Sequence, residues 1–404
     1  MDKINRLKRQ FLNFVLCKDI TIFDTNLSEN DWEIIVKWCV DHRIIYLFIK
    51  NLKQTNHWAS LSHNQYIQYL EKRAHKAPVR QLKIQANLLH LDTILTANGI
   101  EYQIIKGPIL AFKYYEDSAI RRMRDIDIIV KPDTFVKTCN LLLEHNYRLK
   151  SKEQKIDFDA RLKVSHDAPP LTHDNFNISI EVHHRTFSPR KKQSEMDLSF
   201  MPEFWAEVDK IKIGNQSLPC ESAEILLAHI ILHGVRSSAF NNGPVLISDL
   251  YFLIKNGQIN WKKFHSYSAY LKLGNEANLV FSLLQDFYPD LKLQERFVPC
   301  KDDKLIEACH SLMLSDPSQK RYERLTSSLK SGTLHEALIQ LKKLLLPKRE
   351  LITAHLGVSS HPAFIRLPVW WGYILKTLYF QCLGRNSDLQ TSEELTRLFR
   401  WLNR

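Results

Sequence analysis

Glycine is scarce in this chain, with 11 residues in 404. That disfavours a fold dominated by tight β-turns, and helices are expected to carry much of the structure. The cysteines exclude as much. Cys17, Cys39, Cys139, Cys220, Cys300, Cys309 and Cys382 are odd in number and scattered, with no Cys-x-x-Cys among them. They offer neither a zinc cage nor a disulfide framework, and they suit a reducing compartment. No apolar run approaches the roughly 18–20 residues of a membrane span. Met1–Arg9 leads only into a short apolar stretch, Phe11–Cys17, without a cleavage site. No signal peptide and no transmembrane segment are expected, and the location expected is cytoplasmic.

What is present is ordinary for a globular protein: 44% hydrophobic and 25% charged residues, in a length that suits two or three structural units. The net charge is +12, and residues 341–404 carry ten Lys and Arg against four Asp and Glu, or +6, half of the total. Nucleic acid, anionic lipid or a nucleotide would each answer that charge. An anionic partner, RNA or lipid, is therefore an expectation for the basic C-terminal region. Basicity alone selects none of them.

Taken in order, residues 1–50 show helical spacing at Leu7, Phe11, Phe14 and Val15, then at Trp32, Ile35, Val36, Cys39 and Val40. Asn30-Asp31 reads as the cap before Trp32. Residues 64–98 form another helical stretch that Pro78 should kink or break. Strands are expected at 101–106, 125–130, near 147–149 and around 209–213, with helices at 108–116 and 132–145. Residues 150–176 read as a loop or short hairpin, and Pro189–Lys192 as an exposed basic stretch. From Glu221 onward the pattern is helical. The aromatic segment Phe364–Phe380 fits either a core-packing helix or an interfacial one.

The chemistry concentrates in residues 104–130. Asp125-Ile-Asp127-Ile-Ile-Val130 reads as a buried strand, so Asp125 and Asp127 share one face. Two carboxylates that close repel each other unless a cation intervenes, and hard oxygen donors suit Mg²⁺ or Mn²⁺. A strand entered through two solvated aspartates is the plainer reading of the pattern taken alone. Upstream, the strand breaks at Lys106-Gly107-Pro108, where glycine lets the backbone approach a ligand and a helix start aims N–H groups at phosphate. Arg121, Arg122 and Arg124 add positive charge where a polyphosphate would lie. Downstream, Asn177–His183 alternates, with Ile178, Ile180 and Val182 on one face and Ser179, Glu181 and His183 on the other. Glu181 thus supplies a third carboxylate, the layout of a two-metal phosphoryl-transfer site.

These segments resemble an uncharacterised bacterial nucleotidyltransferase family of the DNA polymerase beta-like nucleotidyltransferase superfamily. The likeness rests on the Lys106-Gly107 turn, the Arg122-x-x-Asp125-Ile-Asp127-Ile-Ile-Val130 strand and the Glu181-Val-His183 strand. It continues through His229-Ile-Ile-Leu-His233-Gly, Ser248-Asp249-Leu250 and Asn260-Trp261, over roughly residues 25–290. The superfamily's glycine turn and Asp-x-Asp strand bind nucleoside triphosphate and metal. Two departures stand out. Pro108 replaces the usual Ser or Gly and removes a backbone donor, and 17 residues separate Gly107 from Asp125, more than is usual.

The resemblance implies an α+β fold, with a small mixed β-sheet nucleotidyltransferase core flanked by N-terminal and C-terminal helical regions. The divisions expected are 1–98, 99–215 and 216–404. The expected activity is Mg²⁺- or Mn²⁺-dependent transfer of a nucleoside monophosphate from a triphosphate to a hydroxyl acceptor on protein, RNA or a small molecule. Asp125, Asp127 and Glu181 would be the catalytic and metal residues. Lys106, Gly107, Arg121 and Arg124 would bind nucleotide, and His183, His229, His233 and Asp249 would line the cleft. On spacing alone, His229 and His233 are either a packed or substrate-contacting pair or a metal site. Two other functions fit the same residues: a metal-dependent phosphohydrolase built on His229, His233 and Asp249, and a non-catalytic nucleotide-binding protein.

Overall fold

Strand β2 (Asp125–Val130) is the run of β-branched residues read above, and every residue after Asp125 is buried. A strand covered on both faces needs helices on both sides, and the fold supplies them. The computed structural model describes residues 3–16, 26–149, 156–187, 196–317 and 389–402, with scattered positions between 345 and 375. Seven strands form one mixed sheet: β1 (Tyr102–Ile105), β2, β3 (Tyr147–Leu149), β4 (Leu171–His173), β5 (Ser179–His183), β6 (Asp209–Ile213) and β7 (Gln216–Cys220). Their spatial order is β3-β4-β5-β2-β1-β7-β6. The centre carries the chemistry, because β2 lies antiparallel to β1 and parallel to β5.

Helices flank the sheet in the expected α+β arrangement. At the N-terminal side they span Lys3–Leu16, Glu29–Asp41, Ile45–Lys53, Gln65–Ala74 and Lys76–Ala97. The cap of the second is Ser28, two residues before the expected Asn30-Asp31. Ser28 and Asp31 exchange the two hydrogen bonds of a capping box, and Lys3 pairs with Asp31 at 3.0 Å. The break near Pro78 falls at His75. Pro78 itself sits in the first turn of Lys76–Ala97, where its missing N–H leaves no helical bond unmade. At the C-terminal side, helices span Ala223–Leu232, Val245–Asn256, Trp261–Tyr270, Gly274–Phe287, Asp303–Met313 and Leu389–Leu402.

Three local expectations need correction. Residues 150–176, read as a loop or short hairpin, also hold a helix, Phe158–Val164, capped by Asp157, and the β4 that follows pairs antiparallel with β3. The expected helix 108–116 is a single turn, Gly107–Ile109, that widens into a π-helical Leu110–Tyr114. Strand β7 has no counterpart among the strands expected from the sequence, and it carries Pro219, a residue disfavoured within a sheet. It joins β1 in parallel only at Ile104–Cys220 and is otherwise a hairpin with β6 around Gly214 (φ 59°). The basic stretch Pro189–Lys192 and most of Phe364–Phe380 lie outside the described residues. No helix among the described residues is long and apolar enough to cross a membrane.

Candidate active site at the β1–β2–β5 edge

The register of the sheet brings the acidic groups together. Asp127 lies beside Glu181 and Asp125 beside Ser179 across the parallel β2–β5 pair. Residues two apart point the same way, so Asp125, Asp127, Glu181 and His183 share a face. Among the described residues, the ligand atoms of Asp127, Glu181 and His183 all lie within 4.8 Å of one another. Asp125, half-buried on the same face, lies outside that group, whereas His183, expected only to line the cleft, sits within it.

Asp127 is the electrostatic centre. Lys106 Nζ is 3.1 Å from its Oδ1, and His183 Nε2 donates to the same oxygen at 2.9 Å. Burial by itself would raise the Asp127 carboxyl, but the Lys106 ammonium and the His183 hydrogen bond overcome it and hold the group far below the usual range. Its neighbours go the other way. Glu181 is pushed up to about 8 by burial and by the charges of Asp127 and Asp125. Asp125 is raised by burial and by Asp127, against the opposing pull of Lys106, Arg121 and Arg43. Carboxylates in this state take up a proton or a cation. The donor set fits a divalent ion: the carboxylates suit Mg²⁺ or Mn²⁺, and the His183 imidazole is a softer addition.

Lys106 reaches Asp127 because its backbone is bent. It occupies φ 59°, ψ −117° between β1 and the Gly107 turn, a conformation rarely held by a residue with a side chain. Its N–H donates to Glu221 Oε2 at 3.3 Å, and Glu221 Oε1 accepts from His229 Nδ1 at 2.6 Å. Glu221 and His229 are both fully buried. His229 is therefore a partner of the carboxylate that holds the lysine turn. His233, one turn on, lies within electrostatic reach of Lys106, Asp127 and His183, and burial beside Lys106 depresses it to about 3.

The segment 106–124 is clamped from both sides. Asn256 Nδ2 donates to Tyr114 O at 2.6 Å. Arg121 grips Asp249 with two parallel bonds of 3.1 and 2.9 Å, and Tyr115 donates to the same carboxylate at 2.8 Å. On the other side, Tyr46 and Lys50 bind Asp117 at 3.0 and 3.1 Å. Arg80 donates to the carbonyls of Met123 and Arg124, and Gln81 to those of Ser118 and Arg121. Gly107 faces this loop closely: a Cβ there would lie 3.2 Å from Met123 Sδ and 3.3 Å from Arg121 Nη1. Arg124 has an exposed side chain at the same edge.

Of the residues named from the sequence, Asp127, Glu181 and His183 cluster with Lys106 on one face shared by Asp125, and Arg121 faces the Gly107 turn while holding Asp249; His229 is buried against Glu221, and His233 lies within electrostatic reach of Asp127. Sequence reading missed Glu221, His166 and Asp167. Asp167 bridges to His183 in the backbone and accepts from Ser165 Oγ at 2.6 Å, while the His166 ring lies 5.3 Å from that of His183. Glu221 and His166 carry no motif. Only the fold brings them to the carboxylates.

A mixed sheet with a glycine turn after one central strand and Asp-x-Asp on the next is the layout of a nucleotidyltransferase core. The chain belongs to the family described as uncharacterised nucleotidyltransferase, whose model matches residues 28–289. It is also similar to the crystal structure of an antigenic nucleotidyltransferase-like protein from Paracoccidioides brasiliensis. That match has 14% identity and a TM-score of 0.35, and it covers 54% of this chain and 94% of the other. No curated protein matches the chain.

Proposed function

We propose that the protein is a divalent-metal-dependent nucleotidyltransferase that moves a nucleoside monophosphate from a triphosphate to a hydroxyl acceptor and releases pyrophosphate. The observation that carries this reading is the pairing of Asp127 with Glu181 on adjacent parallel strands, with Asp125 on the same face and the Gly107 turn beside them. Asp125, Asp127 and Glu181 are the groups that would hold Mg²⁺ or Mn²⁺. The bound ion would supply Lewis-acid stabilisation of phosphoryl oxygens.

The chain's own residues have separate tasks. The acceptor hydroxyl attacks the α-phosphorus, the bond to the β,γ-diphosphate breaks, and the hydroxyl proton goes to a carboxylate. Glu181 would take that role once a bound cation holds it ionised, because without one burial and the charges of Asp127 and Asp125 keep it protonated at neutral pH. The Gly107 backbone, Lys106, Arg121 and Arg124 would stabilise charge on the phosphates. His183 keeps Asp127 oriented, and Glu221 keeps the Lys106 turn bent.

One observation favours a non-catalytic nucleotide-binding protein instead: the Lys106 ammonium already neutralises Asp127. The phosphohydrolase reading is not favoured. Asp249 is occupied by Arg121 and Tyr115, and His229 by Glu221, so those residues do not converge on a cation.

Calorimetry tests the proposal. Each ribonucleoside triphosphate is titrated into wild type and Asp125→Asn/Asp127→Asn, with Mg²⁺ and then with EDTA. Binding that needs both the metal and the aspartates supports the transferase. Equal binding by the double variant sinks the site, and metal-independent binding to wild type favours the binding protein.

A further inference from the structure

Arg43 lies in the turn between helices Glu29–Asp41 and Ile45–Lys53, some 80 residues before the acidic strand, and no motif draws attention to it. Its backbone is left-handed (φ 61°), held by hydrogen bonds from Arg43 N to Val40 O and from Ile44 N to Cys39 O. Its Nε is shielded from solvent and has no hydrogen-bond partner. Among the described residues it makes no ion pair, and neither do Arg122 or Arg124. Yet Arg43 stands within electrostatic reach of Arg121, Arg122 and Arg124, with Asp125 as the opposing charge.

A mostly buried guanidinium among three others is unfavourable without an anion. Burial and the neighbouring arginines lower the Arg43 pKa and Asp125 only partly opposes them, which agrees with the shielded, unpartnered Nε. Arg121 is already committed to Asp249, and Asp125 is also within reach of Lys106 and Arg121. The cluster is also built. Arg80, Gln81, Tyr46 and Lys50, all from the N-terminal helices, fix the loop that carries Arg121, Arg122 and Arg124.

We propose that Arg43, together with Arg121, Arg122 and Arg124, forms a subsite for the polyphosphate tail of the donor nucleotide, supplied in part by the N-terminal helical region. The planar guanidinium offers two donors to a phosphate beyond the Gly107 turn, where Pro108 provides no N–H. The inference rests on the transferase reading for the identity of the ligand, but not for its charge.

Inorganic tripolyphosphate is the probe, titrated into wild type, Arg43→Gln and Arg43→Lys, with the four ribonucleoside triphosphates in parallel and folding checked by thermal unfolding. Arg43→Gln removes an unpaired buried cation, so its midpoint is expected at or above that of wild type. The expected result is about a tenfold weakening of both tripolyphosphate and nucleotide by Arg43→Gln, with part of the affinity kept by Arg43→Lys. Arg43-dependent tripolyphosphate binding in a protein that binds no nucleotide upholds the anion subsite while removing the transferase reading. Tripolyphosphate bound equally by a folded Arg43→Gln variant, or not bound by wild type, overturns the subsite. So does a loss of nucleotide affinity without loss of tripolyphosphate affinity, which would place Arg43 at the nucleoside or the acceptor.

Discussion

Lys106 and Asp127 meet at 3.1 Å between the ends of two antiparallel strands, and the lysine reaches the aspartate from a backbone at positive φ. Both side chains are largely buried, at 17% and 10% exposure. Removing one member of such a pair leaves the other uncompensated. Lys106→Met is expected to lower stability by about 3 kcal/mol at neutral pH. Urea unfolding measures it, and Mn²⁺ should restore part of the loss if the carboxylates hold metal. A variant as stable as wild type would show that His183 alone satisfies Asp127.

Gly107→Ala tests the closeness of the turn to the arginine loop. The added Cβ presses on Met123 Sδ at 3.2 Å and Arg121 Nη1 at 3.3 Å, so a loss of about 1 kcal/mol is expected, with weaker triphosphate binding. Combining it with Met123→Ala should relieve the contact on the sulfur side. If the double variant binds triphosphate no better than Gly107→Ala, the Arg121 contact is the one that matters.

Arg121→Lys keeps the charge but cannot reproduce the two parallel bonds to Asp249, whose carboxylate is buried. A loss of about 2–4 kcal/mol is expected from thermal or urea unfolding. Asp249→Asn is expected to cost less in the Arg121→Lys background than in wild type, because the pair it breaks is already weakened. Additive losses in the two variants would mean that the pair is not coupled.

His310 gives a pH dependence away from the site. Burial, with Arg9 beside it, depresses its pKa from 6.5 to about 3, and neutral Nδ1 accepts from Arg9 Nη1 at 2.8 Å. The unfolded chain therefore binds more protons than the folded one between these values. The contribution is fully present above pH 6.5 and is lost as pH falls toward 3. The thermal midpoint of wild type should drop over that interval more steeply than that of His310→Gln. Parallel profiles would assign the acid sensitivity to other groups.

Local pattern made much of the core legible. The β-branched run at Asp125–Val130 gives the strand as observed, and alternation from Ile178 to His183 placed Glu181 and His183 on the face away from Ile180 and Val182. Strand β7 was not among the expected strands, and it carries Pro219, which the sheet tolerates where β7 meets β1 at a single residue pair. Helix Phe158–Val164 escaped because a seven-residue helix among polar residues has too short a period to read.

Sequence by itself determined the element types around the site, the shared face of Asp125 and Asp127, and the glycine turn. Each depends on residues within a few positions of one another, where strand period and backbone freedom decide the outcome. Tertiary structure alone decided the partners. It set Glu181 beside Asp127, gave Asp249 to Arg121 and Tyr115 rather than to the histidines, tied His229 to Glu221, and brought Arg43 to the arginine loop. Those partners lie from 8 to 134 residues apart in the chain, and the choice among them is made by packing and desolvation.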